Sequence, residues 1–366
     1  MLESPHFTSN RQAKARLLLP FAHPAFTRTS TRHMSRDQLV HDWVASQFPG
    51  QSIAIVPASA DASFRRYFRL TLPDGSTRIL MDAPPDKENC HPFVAVAKLL
   101  EDAKLNAPRV LVEDHENGFL LLSDLGNALY LDALQQDDKR DHALFLDAID
   151  ALIAWQLSSK PDALPPYDAA LLQRELSLFP EWFIGQHLKH TLSDADHATL
   201  DKTFALLVAS ALNQPKAFVH RDYMPRNLMI AEPNPGILDF QDAVYGPITY
   251  DVVSLFRDAF ISWEEERELD WVVRYWEKAR AAGLPVAADF GEFWRDYELM
   301  GLQRHLKVLG IFCRLKYRDG KERYIADLPR FLMYVRHTAT RYVALKPFLN
   351  LLDTLEGKSA EVGYTF

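Results

Sequence analysis

The chain has 366 residues, of which 48% are hydrophobic and 25% charged, a composition typical of globular proteins. Its formal net charge is −8 and no basic run offsets it, which excludes the electrostatic footprint of a nucleic-acid or anionic-membrane binder. No stretch of about eighteen consecutive apolar residues occurs, so no segment is predicted to span a membrane. The two cysteines, Cys90 and Cys313, lack metal-ligand spacing and are typical of buried thiols in a reducing compartment. We therefore expect a monomeric cytoplasmic protein whose core is divided between two lobes.

Residues 1–34 differ in composition from the rest of the chain. Against a single acidic residue, Glu3, they carry five basic residues: Arg11, Lys14, Arg16, Arg28 and Arg32. An organellar transit peptide has such a composition, and so does a disordered extension or a segment upstream of a true start at Met34. Ser35 is a typical N-cap for a helix beginning at the next residue, which favours the last two explanations. We expect residues 1–34 to be a disordered extension.

Residues 35–124 predict an antiparallel sheet crossed by one helix. Asp74 and Gly75 lie between two alternating apolar runs, as in a hairpin turn. Pro92 begins a segment whose apolar residues recur at helical spacing. The predicted strands occupy residues 52–56, 67–72, 78–82, 109–112 and 118–122. This region is the predicted N-lobe, which would bind the nucleotide.

Residues 125–366 predict long amphipathic helices, interrupted once at residues 217–242 by two short apolar runs. One helix is marked by a stripe of Leu144, Ala148, Leu152 and Trp155. With a hinge near residues 122–126, this layout predicts an α+β, protein-kinase-like bilobal fold. Residues 125–366 would form its mostly helical C-lobe, with the catalytic loop and the acceptor site.

Residues 218–230 carry the motif that decides the predicted chemistry. They read His-Arg-Asp, four further residues and Asn, so that His220, Asp222 and Asn227 share one loop. A second apolar run ends at Asp239, twelve residues after Asn227. In kinases, such an Asp accepts the proton of the acceptor hydroxyl, while the Asn and the second Asp hold the Mg²⁺ that bridges the phosphates of ATP. A single Asp or Asn after a strand is more often a turn residue or a helix cap. The joint spacing nevertheless predicts Asp222 as the base, Asn227 and Asp239 as magnesium ligands, and His220 as a hydrogen-bonding scaffold of the loop.

The length of chain after Asp239 indicates the kind of acceptor. A protein kinase has a long activation segment, closed by Ala-Pro-Glu, after its metal-binding Asp. Here eleven residues separate Asp239 from Asp251, where a helix is predicted to begin, and no Ala-Pro-Glu follows. Because this leaves no room for a peptide platform, the sequence predicts a small-molecule acceptor.

These motifs resemble those of the aminoglycoside phosphotransferase/choline kinase superfamily, and the resemblance extends over essentially residues 35–350. Within the superfamily the chain looks most like the bacterial anomeric amino-sugar kinases. The stretches that carry this similarity are residues 59–69, 81–85, 88–90, 178–182, 238–247, 303–307 and 318–321. The resemblance implies phosphorylation of the C1 hydroxyl of N-acetylmuramate and N-acetylglucosamine, with ATP and Mg²⁺, in peptidoglycan recycling.

The resemblance also implies roles for residues outside the motif. Asp251 would brace the catalytic loop. The hinge residues that would hold the adenine are Leu121, Ser123 and Asp124. The turn at residues 58–63 would cover the phosphates through Ser59 and Ser63, although it lacks the glycine-rich kinase pattern. A plain hairpin turn is the alternative there.

One departure from the kinase pattern concerns the third strand. In kinases this strand supplies a lysine to the phosphates, paired with a glutamate on the following helix. Here Met81 stands near the expected place, and the following helix has no acidic residue before Glu101. Arg65 or Arg66 could supply the missing positive charge to the nucleotide, or both could lie on a solvated strand face.

One predicted helix carries candidate residues for the acceptor. Its Arg304, Lys307 and Arg314 fall at i, i+3 and i+10, on one face. This stripe could bind the lactyl carboxylate of muramate, or it could be the solvated side of the helix. Glu181 and Trp182 could contact the sugar, or Trp182 could be a core aromatic residue.

Rival functions stay open on the sequence alone. A polycationic aminoglycoside requires an acidic groove, unlike the basic stripe, and choline requires an aromatic cage. The missing strand-three lysine would suit a nucleotide-binding pseudokinase. The intact Asp222, Asn227 and Asp239 argue against that alternative.

Overall fold

The computed structural model describes residues 35–60, 64–136 and 140–358, so the predicted N-terminal extension lies outside the described residues. The chain divides into two compact units, one ending at Gly50 and one beginning at Gln51. In the first unit, helix α1 (Arg36–Gln47) begins as predicted, because the Ser35 side chain accepts a hydrogen bond of 3.2 Å from the Gln38 amide.

The second unit begins with a five-stranded antiparallel sheet, ordered β1-β2-β3-β5-β4. Its strands are β1 (Ala54–Ala60), β2 (Arg66–Thr71), β3 (Thr77–Asp82), β4 (Val110–Asp114) and β5 (Phe119–Ser123). Each strand overlaps its prediction. The largest difference is in β1, which continues to Ala60 because a register shift between Pro57 and Ser59 lets pairing with β2 resume.

Helix α2 (His91–Asp102) connects β3 to β4 and packs its apolar face in the same core as the sheet. The period of its buried residues follows the sequence prediction. These residues are Phe93, Val96, Ala97 and Leu100.

The remainder of the second unit is mostly helical, which confirms the predicted α+β class. The helices are α3 (Tyr130–Gln135), α4 (Asp141–Leu157), α5 (Ala169–Leu178), α6 (Asp194–Asn213), α7 (Tyr250–Phe256), α8 (Glu265–Ala281), α9 (Phe290–Tyr317), α10 (Leu328–Arg341) and α11 (Lys346–Leu355). A π-helix covers Phe179–His187, and short 3₁₀ turns cover Pro225–Asn227, Glu322–Asp327 and Val343–Leu345. Across the described ranges, no helix combines the length and apolar character that crossing a bilayer requires.

Helix α9 is the central element of this helical region. Gly310 lets it approach the end of α5 closely, since a Cβ there would lie 2.4 Å from the Leu178 carbonyl oxygen. Its central residues, including Arg304, His305 and Lys307, are buried. Cations of the predicted stripe therefore lie inside the protein, where their partners have to be protein groups or a ligand.

Two short ladders interrupt the helices between residues 216 and 247, close to the predicted place. Strand β6 (Lys216–Val219) pairs with β9 (Val244–Pro247), and β7 (Leu228–Met229) pairs with β8 (Gly236–Ile237). The motif residues 220–227 connect β6 to β7, and Asp239 follows β8. The two ladders therefore bring the motif residues 220–227 close to Asp239, although the two segments are separate in sequence.

Candidate active site

The catalytic loop, residues 220–227, is closed by its own side chains and backbone. Asn227 Nδ2 donates to the backbone oxygen of Asp222 at 2.9 Å, and the Asn227 amide donates to the Met224 carbonyl at 2.8 Å. Arg221 holds a left-handed backbone with φ of +76°, a conformation that a non-glycine residue keeps only under external constraint. The half-buried Asp222 follows directly, so the geometry of its carboxylate depends on this constraint.

Asp251, in the first turn of α7, supplies the constraint. Its carboxylate accepts the backbone amides of His220 and Arg221 at 2.6 and 3.0 Å. Burial raises the pKa of Asp251 to about 7, against the lowering effect of these two hydrogen bonds. The contact joins α7 to the loop, and the bracing role of Asp251 stays a prediction.

His220 is buried beneath the loop and is neutral at pH 7. Burial lowers its pKa to about 4, although the nearby Asp222 acts in the opposite direction. Its Nδ1 accepts a hydrogen bond of 3.3 Å from the Asp222 amide. The role of His220 as a scaffold of the loop stays a prediction, with which a buried, hydrogen-bonded imidazole is consistent.

The two predicted magnesium ligands lie together. Asn227 Nδ2 is 3.4 Å from Asp239 Oδ2, and the Leu238 amide donates to the Asn227 backbone oxygen at 2.9 Å. Asp239 has a φ of +62° and accepts Gln241 Nε2 on its other oxygen at 2.9 Å. Gln241, which is separated from Asp239 by one residue, was not among the residues predicted from the sequence.

This donor set suits Mg²⁺. In the part of the chain that the structure describes, no three His, Cys, Asp or Glu side chains gather as a metal site. A carboxylate and an amide oxygen are hard ligands, and Mg²⁺ takes one or two protein ligands and completes its shell with water and substrate phosphates. Asn227 and Asp239 therefore fit a magnesium ion that arrives with a nucleotide.

A cavity of about 430 Å³ lies between the sheet and the helical region, and Asn227 and Asp239 are in its wall. The hinge residues Ser123 and Asp124 line it as well. Leu121 instead is buried within the sheet, where it pairs with Leu80. Ser63 lies outside the described residues, and Ser59 pairs through its backbone with Tyr67 in the sheet.

Arg69, on β2, holds the hinge end of this cavity and was not found by the sequence analysis. Its guanidinium donates to both oxygens of Asp124, at 2.6 and 3.0 Å, and to the Gly126 carbonyl at 2.8 Å. Burial opposes ionisation of Asp124, but the bonds from Arg69 and from the Gly126 amide lower its pKa. Successive side chains of a strand point to opposite faces of the sheet, so the sequence could have shown that Arg69 and Arg66 lie on opposite faces.

The third strand has an apolar contact near the place of the kinase lysine. Met81 is buried in the same core cluster as Phe93 and Val96 of α2. Arg66 donates to the buried Asp82 through two nitrogens, at 2.6 and 2.8 Å. Among the described residues that line the cavity, neither Arg65 nor Arg66 is present. Their binding to the nucleotide stays a prediction.

The predicted acceptor residues fall into two groups. Lys307 is 8% exposed, and its Nζ lies 2.9 Å from Glu175 and 2.9 Å from the Tyr250 hydroxyl. Arg304 is 3% exposed and lies 4.0 Å from the Met224 sulfur of the catalytic loop. Arg304 thus contacts the catalytic loop, and Lys307 contacts α5 and α7.

The second group is remote from the first along α9. Arg314 is ten residues beyond Arg304, which is roughly 15 Å along a helix axis. It interacts electrostatically with Glu181, an exposed residue of the π-helix. The structure therefore does not gather the four predicted acceptor residues into one site.

Glu175, on α5, is the partner that the sequence analysis missed. It lies 2.6 Å from Arg221 Nη2 and accepts Gln303 Nε2 at 3.1 Å, in addition to its contact with Lys307. Burial alone would raise the pKa of Glu175, but Lys307 and Arg221 outweigh it and lower the pKa to about 2. This carboxylate neutralises two cations behind the catalytic loop.

Replacing Glu175 by glutamine should destabilise the protein strongly. Removing one partner of a buried ion pair costs about 3–5 kcal/mol, because the remaining charges lose their compensation. The folded pKa lies below the ordinary value of 4.5, so this stability is complete above pH 4.5 and is lost as the pH falls toward 2. Urea unfolding of wild type and variant should thus differ equally at pH 8 and pH 5, and less below pH 4.5.

An exposed ion pair provides the control. Asp270 accepts a hydrogen bond of 2.8 Å from Arg274 Nε on the solvent-exposed face of α8. Asp270→Asn should therefore change the free energy of unfolding little. If Glu175→Gln resembled this control, the network around Glu175 would not stabilise the fold.

Comparison with known proteins agrees with this geometry. The model of the phosphotransferase enzyme family matches residues 54–290. A relative from Neisseria meningitidis serogroup B, named N-acetylmuramate/N-acetylglucosamine kinase, is 49% identical over 336 residues, which cover 91% of this chain and 100% of the relative. A relative of the same name from Pseudomonas aeruginosa is 50% identical over 331 residues, covering 88% of this chain and 97% of the relative.

Solved structures show the same fold at low sequence identity. An ADP-bound aminoglycoside phosphotransferase, APH(2'')-Ib, is 15% identical with a TM-score of 0.53, covering 81% of this chain and 97% of the neighbour. The choline kinase LicA from Streptococcus pneumoniae is 12% identical with a TM-score of 0.56, covering 82% of this chain and 98% of the neighbour. From the matched family model and the two relatives of about half identical sequence, we conclude that the chain belongs to the phosphotransferase enzyme family.

Proposed function

We propose that this protein transfers the γ-phosphoryl group of ATP to the anomeric hydroxyl of N-acetylmuramate and N-acetylglucosamine, as a cytoplasmic step of peptidoglycan recycling. The observation that carries the proposal is that Asn227 and Asp239 lie 3.4 Å apart in the wall of one cavity, while the loop of Asn227 also carries Asp222. The names of relatives that are about half identical support the two sugars as acceptors.

In this proposal Asp222 accepts the proton of the C1 hydroxyl. The hydroxyl O–H bond breaks, the sugar oxygen bonds to the γ-phosphorus, and the bond from that phosphorus to the β-phosphate oxygen breaks, which releases ADP. Asp251 and Asn227 hold the loop so that the carboxylate needs no rearrangement during the reaction.

Asn227 and Asp239 would hold Mg²⁺, which when bound neutralises charge between the β- and γ-phosphates. Ser123 and Asp124, with Leu121 buried beside them in β5, would position the adenine, and Ser59, Ser63 and Arg65 would lie over the phosphates. Asp124 is already fixed for this task by Arg69.

Two arginines in the cavity wall, Arg226 and Arg323, disfavour a polycationic aminoglycoside as the acceptor. The positive charges of the aminoglycoside would meet those of the two arginines. Among the described residues, no Asp or Glu contacts either arginine directly.

A screen of the purified full-length protein with ATP and Mg²⁺ tests the proposal. The acceptors are N-acetylmuramate, N-acetylglucosamine, choline and kanamycin, and ADP release is measured for each. Both sugars should be turned over, and the product should no longer reduce alkaline ferricyanide, because phosphorylation at C1 removes the reducing end. A reducing product would place the phosphate on another hydroxyl, and turnover of choline or kanamycin alone would contradict the proposed acceptor class.

A further inference from the structure

Three side chains form a cluster in the cavity wall that the proposed chemistry does not use: Arg226, Arg323 and Tyr324. Arg226 belongs to the 3₁₀ turn Pro225–Asn227, and its guanidinium carbon lies 4.7 Å from the ring centre of Phe260. Arg323 Nη2 donates to the Tyr324 hydroxyl at 2.9 Å, from the turn Glu322–Asp327. We call these three residues the arginine cluster.

The two cations of the arginine cluster carry uncompensated charge. Within the described ranges, no carboxylate lies within 4.0 Å of Arg226 or of Arg323, whereas Arg66 and Arg69 of β2 each have an aspartate partner. Asp258 interacts electrostatically with Arg226 but forms no ion pair with it. Burial would raise the pKa of Tyr324, yet Arg323 and Arg226 lower it, so both cations act on the same small volume. Two guanidinium groups and a hydroxyl that converge on a cavity are suited to bind an anion.

The position of the arginine cluster indicates which of the anions that reach this cavity it binds. Arg226 immediately precedes Asn227 and lies four residues after Asp222, so the cluster includes a residue of the loop that carries the proposed base. The triphosphate already has the Asn227–Asp239 pair for its metal. One of the two proposed acceptors carries a carboxylate of its own, on the lactyl ether of N-acetylmuramate, and the other carries none.

Arg304 and Lys307, the cations of α9 that were predicted to bind this carboxylate, are less accessible to a ligand than the arginine cluster is. Lys307 is neutralised by Glu175, and both Lys307 and Arg304 are more than nine-tenths buried. Arg226 is half-buried and Arg323 is exposed, so a ligand in the cavity can contact their nitrogens directly.

We propose that Arg226 and Arg323 bind the lactyl carboxylate of N-acetylmuramate, with the Tyr324 hydroxyl as a third donor. This inference rests on the proposed function. The Phe260 ring lies against the Arg226 guanidinium, and Arg323 donates to the Tyr324 oxygen, which leaves the hydroxyl proton for the carboxylate. N-acetylglucosamine occupies the same acceptor site without these contacts.

Steady-state kinetics of Arg226→Gln and Arg323→Gln, with both sugars, test the proposal. The ratio of kcat/KM for N-acetylmuramate to that for N-acetylglucosamine should fall about 10- to 100-fold in Arg226→Gln, as expected for loss of a partly desolvated charge-assisted hydrogen bond. It should fall less, about 3- to 10-fold, in Arg323→Gln, because water screens the more exposed cation. The KM for ATP should stay near the wild-type value in both.

Arg280→Gln is the matched control. Arg280 also lies 4.7 Å over an aromatic ring, that of Trp276, but on α8 and outside the lining of the cavity. The ratio should not change in this variant. The same measurement on Arg304→Gln compares the cluster directly with the α9 cation.

The methyl ester of N-acetylmuramate gives an independent measurement. Wild type should prefer the free acid over the ester by about 10- to 100-fold, and Arg226→Gln should lose most of that preference, because the charge partner is then absent on one side or the other. This comparison within each variant is insensitive to partial loss of folded protein.

The outcomes separate the two hypotheses. If wild type phosphorylates neither sugar, the proposed function is wrong. If wild type phosphorylates both sugars while the cluster variants lose activity on both equally, or gain a higher KM for ATP, the cluster serves the phosphates or the loop and the inference is wrong. A selective loss in Arg304→Gln, with unchanged selectivity in both cluster variants, would place the carboxylate at α9 and would also overturn it.

Discussion

The Asp222→Asn variant should turn over both sugars about 10²- to 10⁴-fold more slowly than wild type, which is the usual contribution of a positioned general base. The loop around it should keep its shape, because the contacts of Asp222 that close the loop are made by its backbone. Its carbonyl accepts from Asn227 and its amide donates to His220, and an amide side chain disturbs neither. The loss should therefore appear in kcat, and the affinity for ATP with Mg²⁺, measured by calorimetry, should change little.

Asp242→Asn provides a control for charge alone. Asp242 is exposed and acts on His220 through space, so this variant also removes one negative charge near the loop. Its kcat should stay within about twofold of wild type, as for a surface charge. Turnover by Asp222→Asn at the rate of this control would remove Asp222 from the mechanism.

Asp239→Asn should lower turnover by about 10³-fold or more. The charge stabilisation that a bound metal provides is worth several kcal/mol, and each 1.4 kcal/mol is about a factor of ten in rate. Asparagine is the informative replacement because Asp239 has a φ of +62°, which asparagine tolerates better than alanine does. Nucleotide binding should also lose its dependence on Mg²⁺ in a titration of ADP with and without the metal.

Gln241→Leu should have an intermediate effect. It removes the 2.9 Å hydrogen bond that orients Asp239 Oδ1 but keeps the carboxylate. Loss of such an orienting partner weakens metal affinity about 10- to 100-fold.

If Asp239→Asn kept the wild-type Mg²⁺ dependence of ADP binding, Asp239 would not be a metal ligand.

Features encoded by neighbouring residues could be predicted from the sequence. The alternation in β2 and β3 and the turn at Gly75, whose φ is +82°, depend on residues within one hairpin. The spacing of Asp222 and Asn227 is likewise local, and the hydrogen bond between them spans five residues. Such patterns carry their own geometry, so the sheet, the catalytic loop and the family resemblance were all accessible without coordinates.

Features that depend on distant partners could not be predicted in the same way. The hinge is held by Arg69, 55 residues before Asp124, whereas only its neighbours Arg65 and Arg66 were predicted from the sequence to have a charged role. Helical periodicity correctly placed Arg304 and Lys307 on one face of α9. It could not indicate whether that face meets solvent, substrate or Glu175 of α5.

Hydrophobic period and motif spacing are properties of short segments, so the α+β kinase-like fold and the candidate residues for phosphoryl transfer could be predicted from the sequence. Which cations are neutralised and which face the cavity depends on the three-dimensional packing of distant segments. Lys307 lies against a carboxylate from another helix, whereas Arg226 and Arg323 meet from two turns far apart in the chain without one. The charge available to a substrate depends on such long-range pairing, which no local pattern of residues encodes.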